Sequence, residues 1–267
     1  MTILNPRVGL IGAGYIASWH ADAIRATGRA EIKAVCDLSP AAAHGLAASL
    51  GGVDAYHDIA ELIDAKTCDA VHILTPPHSH YAITKQCLEG GLHCFVEKPF
   101  ALANHECEEL TTLAKEKNLT IGINHNFLAL PAYERLKQAI ADGKIGPVDG
   151  VEVNWRFPFP PLRSGPFGMW MLRAPLNMLH EFGAHLLAFI EDLFGGLEDI
   201  HVRVGKPITI PGGIKHYQSW QVTGIAGETM VTLNISHVEG HDDRTLRLRG
   251  ASGTAMLDFA ADTLEIR

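Results

Sequence analysis

With 267 residues, 47% apolar and 19% charged, the chain has the balance of a globular protein with room for two domains, which excludes disordered and collagen-like classes. A net charge of −8, with Lys and Arg scattered along the chain, leaves no electrostatic footprint for nucleic acid. No window approaches the roughly 18 consecutive apolar residues that span a bilayer, so a membrane role is not expected.

The start, Met1 to Arg7, runs straight into a strand with no basic stretch followed by a long apolar run, so no signal peptide is expected. Val8 to Ile11 is a short apolar strand that ends in glycines, and Tyr15 to Ala26 has helical periodicity. Strands follow at Glu31–Cys36, Ala70–Leu74, His93–Val96 and Thr120–Ile123, and helices at Pro40–Leu50, Tyr81–Glu89 and Asn104–Lys117. This alternation predicts a parallel sheet with helices on both faces over residues 1–123, and Gly90-Gly91 closes the third helix.

From Pro131 the pattern changes. Ala132, Leu136, Ala139 and Ile140 recur at helical spacing before Gly143. Strand-like pieces then appear at Val148–Trp155, His201–Val204, Gln218–Ile225, Met230–Ser236 and Arg244–Arg249, with a long helix before the second of them. Period-two alternation, as in Val231, Leu233 and Ile235, buries one face only. Residues 124–267 are therefore expected to form an α+β domain with a mainly antiparallel sheet and helices on one side.

Two signals point to a dinucleotide. Gly12-Ala13-Gly14-Tyr15-Ile16-Ala17 is G-x-G-x-x-A between a strand and a helix. Gly12 permits the tight turn, Gly14 lets backbone approach a pyrophosphate, small Ala17 allows close helix packing, and the helix N-terminus offers amides to the anion. Asp37 ends the second strand 20 positions after Ala17, where a carboxylate meets the adenine ribose and repels a 2′-phosphate; Leu38-Ser39-Pro40 supplies no Arg to reverse this. NAD is expected in preference to NADP.

Five cysteines, Cys36, Cys68, Cys87, Cys94 and Cys107, form no C-x-x-C pair and lie mostly among apolar neighbours, which reads as reduced thiols in a cytoplasm. Most of the 15 histidines occur singly and are read as hydrogen-bonded structural residues. His78 and His80 lack further ligands for zinc, and no metal is expected.

Taken with Ala70 to His78 (AVHILTPPH), Glu97-Lys98-Pro99 and Glu181-Phe182-Gly183-Ala184-His185, the glycine motif makes the sequence resemble the Gfo/Idh/MocA family over nearly its whole length. The resemblance implies an NAD(P)-dependent dehydrogenase, with NAD preferred, that acts on a CH–OH group of a sugar, polyol or related hydroxy compound. It places Thr75-Pro76 against the cofactor, Lys98 beside the nicotinamide and the substrate, and a cis bond before Pro99. Together, motif and resemblance put cofactor contacts at Gly12, Gly14, Tyr15, Ile16, Asp37, Thr75, Pro76, His78, Glu97 and Lys98, and catalytic roles at Lys98, His185 and Glu181.

Glu181 stands where family members usually carry Asp; four residues before His185 on a helix, it shares that face and orients the ring or shares a substrate hydroxyl. His180 points about 100° away and is read as structural. An ordinary histidine near about 6.5 is mostly neutral at working pH and an ordinary lysine near about 10.4 is not, so His185 is favoured as base and Lys98 as cationic donor to the substrate oxygen. The positive charge of oxidised nicotinamide lowers a nearby lysine and would reverse the assignment. His185 also has a structural reading, because Leu179, Leu186 and Ile190 pack the same helix into a core. Trp155, Trp170 and Arg173 border the pocket or only pack. Alternatives are a cycle in which NAD is oxidant and then reductant, as in an epimerase or glycosidase, and a non-catalytic NAD-binding regulator. The family resemblance also implies a homodimer or homotetramer.

Overall fold

A computed structural model describes residues 5–240 and 242–267; the reading of Met1 to Leu4 as a direct lead into the first strand lies outside the described residues. The chain divides into two units between Asn124 and His125.

The first unit runs β1 (Arg7–Ile11), α1 (Tyr15–Thr27), β2 (Glu31–Cys36), α2 (Pro40–Ser49), β3 (Asp54–Tyr56), α3 (Ile59–Asp64), β4 (Ala70–Ile73), α4 (His80–Glu89), β5 (His93–Glu97), α5 (Asn104–Glu116) and β6 (Ile121–Asn124). Its six strands are all parallel, in the order β3-β2-β1-β4-β5-β6. The strands are nearly continuous apolar runs because both faces are covered. Ala17, Ala21 and Ile24 of α1 and Ala43 and Ala47 of α2 pack on one face, while Leu62 of α3, Leu88 of α4 and Leu110 of α5 pack on the other. Strand order reverses at the β1/β4 boundary, and there the crevice beyond the carboxyl ends of the strands is open for a ligand.

Sequence periodicity gives no sign of β3 or α3. β3 has three residues, too few to show a period, and α3 is one and a half turns started by Asp58, whose carboxylate accepts from the Ala60 amide at 2.7 Å. Gly91, with φ +85°, provides the left-handed exit from α4; Gly90 remains helical.

The second unit comprises α6 (Pro131–Ala141), β7 (Val148–Arg156), α7 (Pro161–Ser164), α8 (Trp170–Arg173), α9 (Asn177–Phe194), β8 (Glu198–Val204), β9 (Pro207–Thr209), β10 (Lys215–Tyr217), β11 (Ser219–Ala226), β12 (Thr229–Ser236), β13 (Asp243–Gly250), β14 (Gly253–Asp258) and β15 (Thr263–Ile266). Seven strands form one sheet in the order β15-β14-β13-β7-β12-β11-β8, and β9 and β10 form a separate pair. The large sheet is mixed: every neighbouring pair is antiparallel except β7 and β12, which run parallel with Val153 opposite Leu233. Alternation along β12 shows which residues are buried but not the direction of the neighbouring strand, so this one parallel pair is invisible in sequence. Val151, Val153, Trp155, Val231, Leu233 and Ile235 face the same core as Leu186, Phe189 and Ile190 of α9.

Candidate active site

At the exit of β1 the backbone turns through Gly12 at φ +99°, where an added Cβ would lie 3.0 Å from the carbonyl carbon and oxygen of Leu74 and 3.1 Å from the Thr75 nitrogen. Only glycine lets the ends of β1 and β4 come so close. The Gly12 amide donates to the Cys36 carbonyl at 2.8 Å, which ties the turn to β2 as well. Gly14 differs: its backbone is extended, and a Cβ there would meet nothing within 4 Å. It is the N-cap of α1, and no side chain caps the first amides of that helix. Uncapped amides behind a bare glycine suit an anion.

Asp37 has both carboxylate oxygens in use, Oδ2 accepting from the Ala13 amide and Oδ1 from the Ser39 amide, each at 2.8 Å. Each oxygen keeps a lone pair for a ribose hydroxyl. The same residue thus fixes the turn and borders a cavity of about 460 Å³, whose wall also includes Gly12, Thr75, Pro76 and His78, with Ile59 and Ile83 supplying apolar surface. No Lys or Arg is among its lining residues. A carboxylate, an apolar cleft and an uncapped helix N-terminus thus adjoin at the exit of β1. Tyr15 is exposed at the start of α1, and Ile16 packs into the core beneath.

Glu97 ends β5, and its carboxylate is turned into a buried polar network. Oε1 accepts from His20 Nε2–H at 2.8 Å and from Asn124 Nδ2 at 2.6 Å, and His20 Nδ1 lies 2.9 Å from His72 Nδ1. Burial alone would push the Glu97 carboxyl up, but the His20 and Asn124 donors outweigh it and hold the group below the usual range. His72 is held at about 4, chiefly by burial and further by His20 beside it. Lys98 follows, half-buried, and its bond to Pro99 is cis.

In the second unit, α9 carries Glu181, half-buried, and His185, buried. The His185 ring stacks on Trp155 at 6.0 Å between centroids and 27° between planes, and Phe127 meets it edge-on at 4.9 Å. Trp155 is itself 3% exposed, so it packs against His185 from within the core. His237, held at about 4 by burial, lies among Phe157, Phe159 and Phe182.

The two depressed histidines make an expectation for stability. Their folded values lie below the ordinary 6.5, so the unfolded chain takes up protons first. Stability is fully present above about pH 6.5 and is lost as pH falls toward 4, by about 2–3 kcal/mol per histidine at the lower end. Urea midpoints at pH 7.5 and 4.5 should fall accordingly, and His237→Phe should remove a large part of the difference; a variant as acid-sensitive as the parent would contradict the assignment.

Fold and site define a two-unit oxidoreductase in which a coenzyme-binding sheet precedes a mixed α+β unit. Comparison with known proteins gives the particular family. Residues 6–125 match the model of an oxidoreductase family with an NAD-binding Rossmann fold, and residues 133–256 match the Gfo/Idh/MocA C-terminal domain. The chain belongs to the Gfo/Idh/MocA family, and its first unit is an NAD-binding Rossmann domain.

Among its relatives is the UDP-N-acetylglucosamine 3-dehydrogenase of Acidithiobacillus ferrooxidans, 28% identical over 99% of this chain and 77% of that protein. Another is the inositol 2-dehydrogenase of Rhizobium meliloti, 34% identical over 59% of this chain and 47% of that protein. A levoglucosan dehydrogenase solved with NADH and levoglucosan has the same fold, with a TM-score of 0.90 at 20% identity over 98% of this chain and 76% of that one. The chain is thus shorter than these relatives, spanning three quarters of the first and about half of the second.

Proposed function

We propose that this chain is an NAD-dependent dehydrogenase that oxidises a CH–OH group of a sugar, polyol or related hydroxy compound. The observation that carries the reading is the carboxylate-bordered cavity at the reversal of strand order, reached from the Gly12 turn and lying in the same unit as the Glu97-Lys98-Pro99 turn. The names of the relatives, a nucleotide-sugar dehydrogenase and an inositol dehydrogenase, agree with a polyhydroxylated substrate.

Bound NAD supplies a hydride acceptor. Asp37 holds the adenine ribose, the first amides of α1 hold the diphosphate, and Thr75, Pro76 and His78 flank the cleft. Lys98 donates to the substrate oxygen and stabilises the alkoxide charge that develops there, while His185 takes the hydroxyl proton and Glu181 orients its ring. Screening sugars and polyols for NADH formation tests the reading. Net NADH from one substrate supports a dehydrogenase; product without net NADH favours an internal redox cycle, and silence with all of them favours a regulator.

Coenzyme choice has its own test. Asp37→Ala removes two charge-assisted acceptors, so NAD affinity should fall on the order of 10–100-fold while NADP gains relative to NAD. Calorimetry with both coenzymes checks this, and an unchanged NAD affinity would remove Asp37 from the site.

For assembly, we place a homodimer or homotetramer contact on the sheet face that carries Met230 and Ile225, paired across β11 and β12, with Met230 62% exposed. Met230→Glu should lower the sedimentation coefficient of the assembled species. Four of the five cysteines are buried, and burial pushes the Cys36 thiol up to about 12, which suits a reducing, cytoplasmic setting. Among the described residues no helix is long and apolar enough to cross a membrane.

A further inference from the structure

Two buried histidines hold the chain on either side of Lys98. His20, 7% exposed, lies on the buried face of α1 with Ala17, Ala21 and Ile24. Its Nε2–H donates to the carboxylate of Glu97, the residue before the lysine, at 2.8 Å. His80, fully buried at the start of α4, has Nδ1 2.8 Å from the carbonyl oxygen of Pro99, the residue after the lysine. Its Nε2 lies 2.7 Å from the carbonyl oxygen of Thr75.

Both partners of His80 are carbonyl oxygens, which only accept. The ring is therefore held between two acceptors from different turns, enclosed in the first unit. An enclosed polar ring is costly unless its nitrogens meet partners, and here each of the two lies at short range from a backbone oxygen. Those oxygens belong to Thr75, in the turn that borders the coenzyme cavity, and to Pro99, in the turn that carries the lysine. His20 makes the corresponding link on the other side: its helix begins at Gly14, and its ring reaches Glu97. Asn124, at the end of β6, donates to the same Glu97 oxygen, and His72 on β4 packs against the other nitrogen of His20.

We infer that His20 and His80 are positioning residues for Lys98, which anchor the backbone before and after it and join that turn to the glycine turn and the Thr75-Pro76 turn. A coenzyme resting on those two turns thereby sets where the lysine amine stands. The inference rests on the reading of Lys98 as the residue beside the nicotinamide. Its physical motive is that a reacting group about 1 Å out of place can lose about 100-fold in rate, and a lysine side chain has four flexible bonds of its own, so its base must be fixed by something else.

The test uses the full chain with its lysines reductively methylated by ¹³C-formaldehyde and a borane reductant, the Lys98 signal being assigned by its loss in Lys98→Arg. In the wild type a single Lys98 signal is expected, and it should move when NAD is added. His20→Phe and His80→Phe keep the ring shape and remove the donors; each should split or broaden the Lys98 signal. With an active substrate, each should lower kcat about tenfold or more while KM and the NAD dissociation constant stay within about threefold. His20→Gln retains a donor for Glu97 and should restore the single signal. An unaltered Lys98 signal in both phenylalanine variants overturns the inference.

Should those variants fail to fold, the native protein decides: a single Lys98 signal that moves with NAD is expected, and a signal already split or broadened in the wild type overturns the staple. If calorimetry finds no NAD uptake by the wild type, the coenzyme reading falls separately, and the Lys98 signal of the free protein still reports whether the two histidines anchor the turn.

Discussion

Gly12→Val is expected to lower NAD affinity by at least about 100-fold, or about 3 kcal/mol, and to lower the melting temperature as well. Two costs act together. The backbone at this position is left-handed, with φ +99°, which a β-branched residue adopts only under strain of about 1–3 kcal/mol. The new Cβ would also sit 3.0 Å from the Leu74 carbonyl group, which is main chain and cannot rotate aside. The strand exits must separate, and with them the Thr75-Pro76 edge of the cavity. Gly14→Ala is the control. Its backbone suits alanine and its Cβ meets no protein atom within 4 Å, so the melting temperature of the free protein should hold while NAD affinity drops, because the methyl group occupies space meant for the diphosphate. Calorimetry and thermal melting on the two variants separate strain within the protein from loss of the ligand's place; equal NAD affinity in wild type and Gly14→Ala would remove the diphosphate from this turn.

The second large effect is expected at the reacting groups. Lys98→Met keeps the length of the side chain and removes its charge and donors, so kcat should fall by about 100- to 1,000-fold with NAD affinity within about threefold. His185→Phe preserves an aromatic partner for Trp155 and Phe127 and removes the nitrogen that accepts the proton; a loss of about 100- to 10,000-fold is expected. Steady-state rates as a function of pH distinguish the roles. If His185 is the base, the acidic limb of the kcat/KM profile disappears in His185→Phe and persists in Lys98→Met. If the limb vanishes only with the lysine, the assignments exchange. Full activity in both variants would place the chemistry elsewhere.

Much of the first unit was legible because its signals are local. An apolar run, two glycines and a carboxylate at a fixed distance each have a physical reason to be where they are, and Gly12 and Asp37 border one cavity as that reasoning requires. What escaped was either short or long-range. β3 and α3 are shorter than the periods that reveal strands and helices. The parallel pairing of β7 with β12 joins residues about 80 apart, and no alternation within either strand can announce it. His20 falls among the single histidines read as hydrogen-bonded structural residues and His80 was weighed only beside His78 as a zinc ligand, yet each occupies a buried position in a helical stripe, with Ala17, Ala21 and Ile24 in one case and Thr84, Cys87 and Leu88 in the other. A polar ring at a core position demands partners, and that demand was the available signal. Glu97, which the resemblance made a coenzyme contact, has its carboxylate held by His20 and Asn124.

The parallel pair at the centre of the second sheet also bears on how the chain acquires its shape. Val151, Val153 and Trp155 leave the ribosome long before Val231, Leu233 and Ile235, the strand that must lie beside them. Contacts of such separation form slowly, and a nascent chain halted short of residue 229 carries a β7 edge with no neighbour and an apolar face without its lid. In the first unit the widest strand pairing, β1 with β4, joins residues 62 apart, and every strand of that sheet has emerged by Asn124. Chaperone dependence and aggregation during synthesis should therefore be concentrated in the interval between the two halves of this pair.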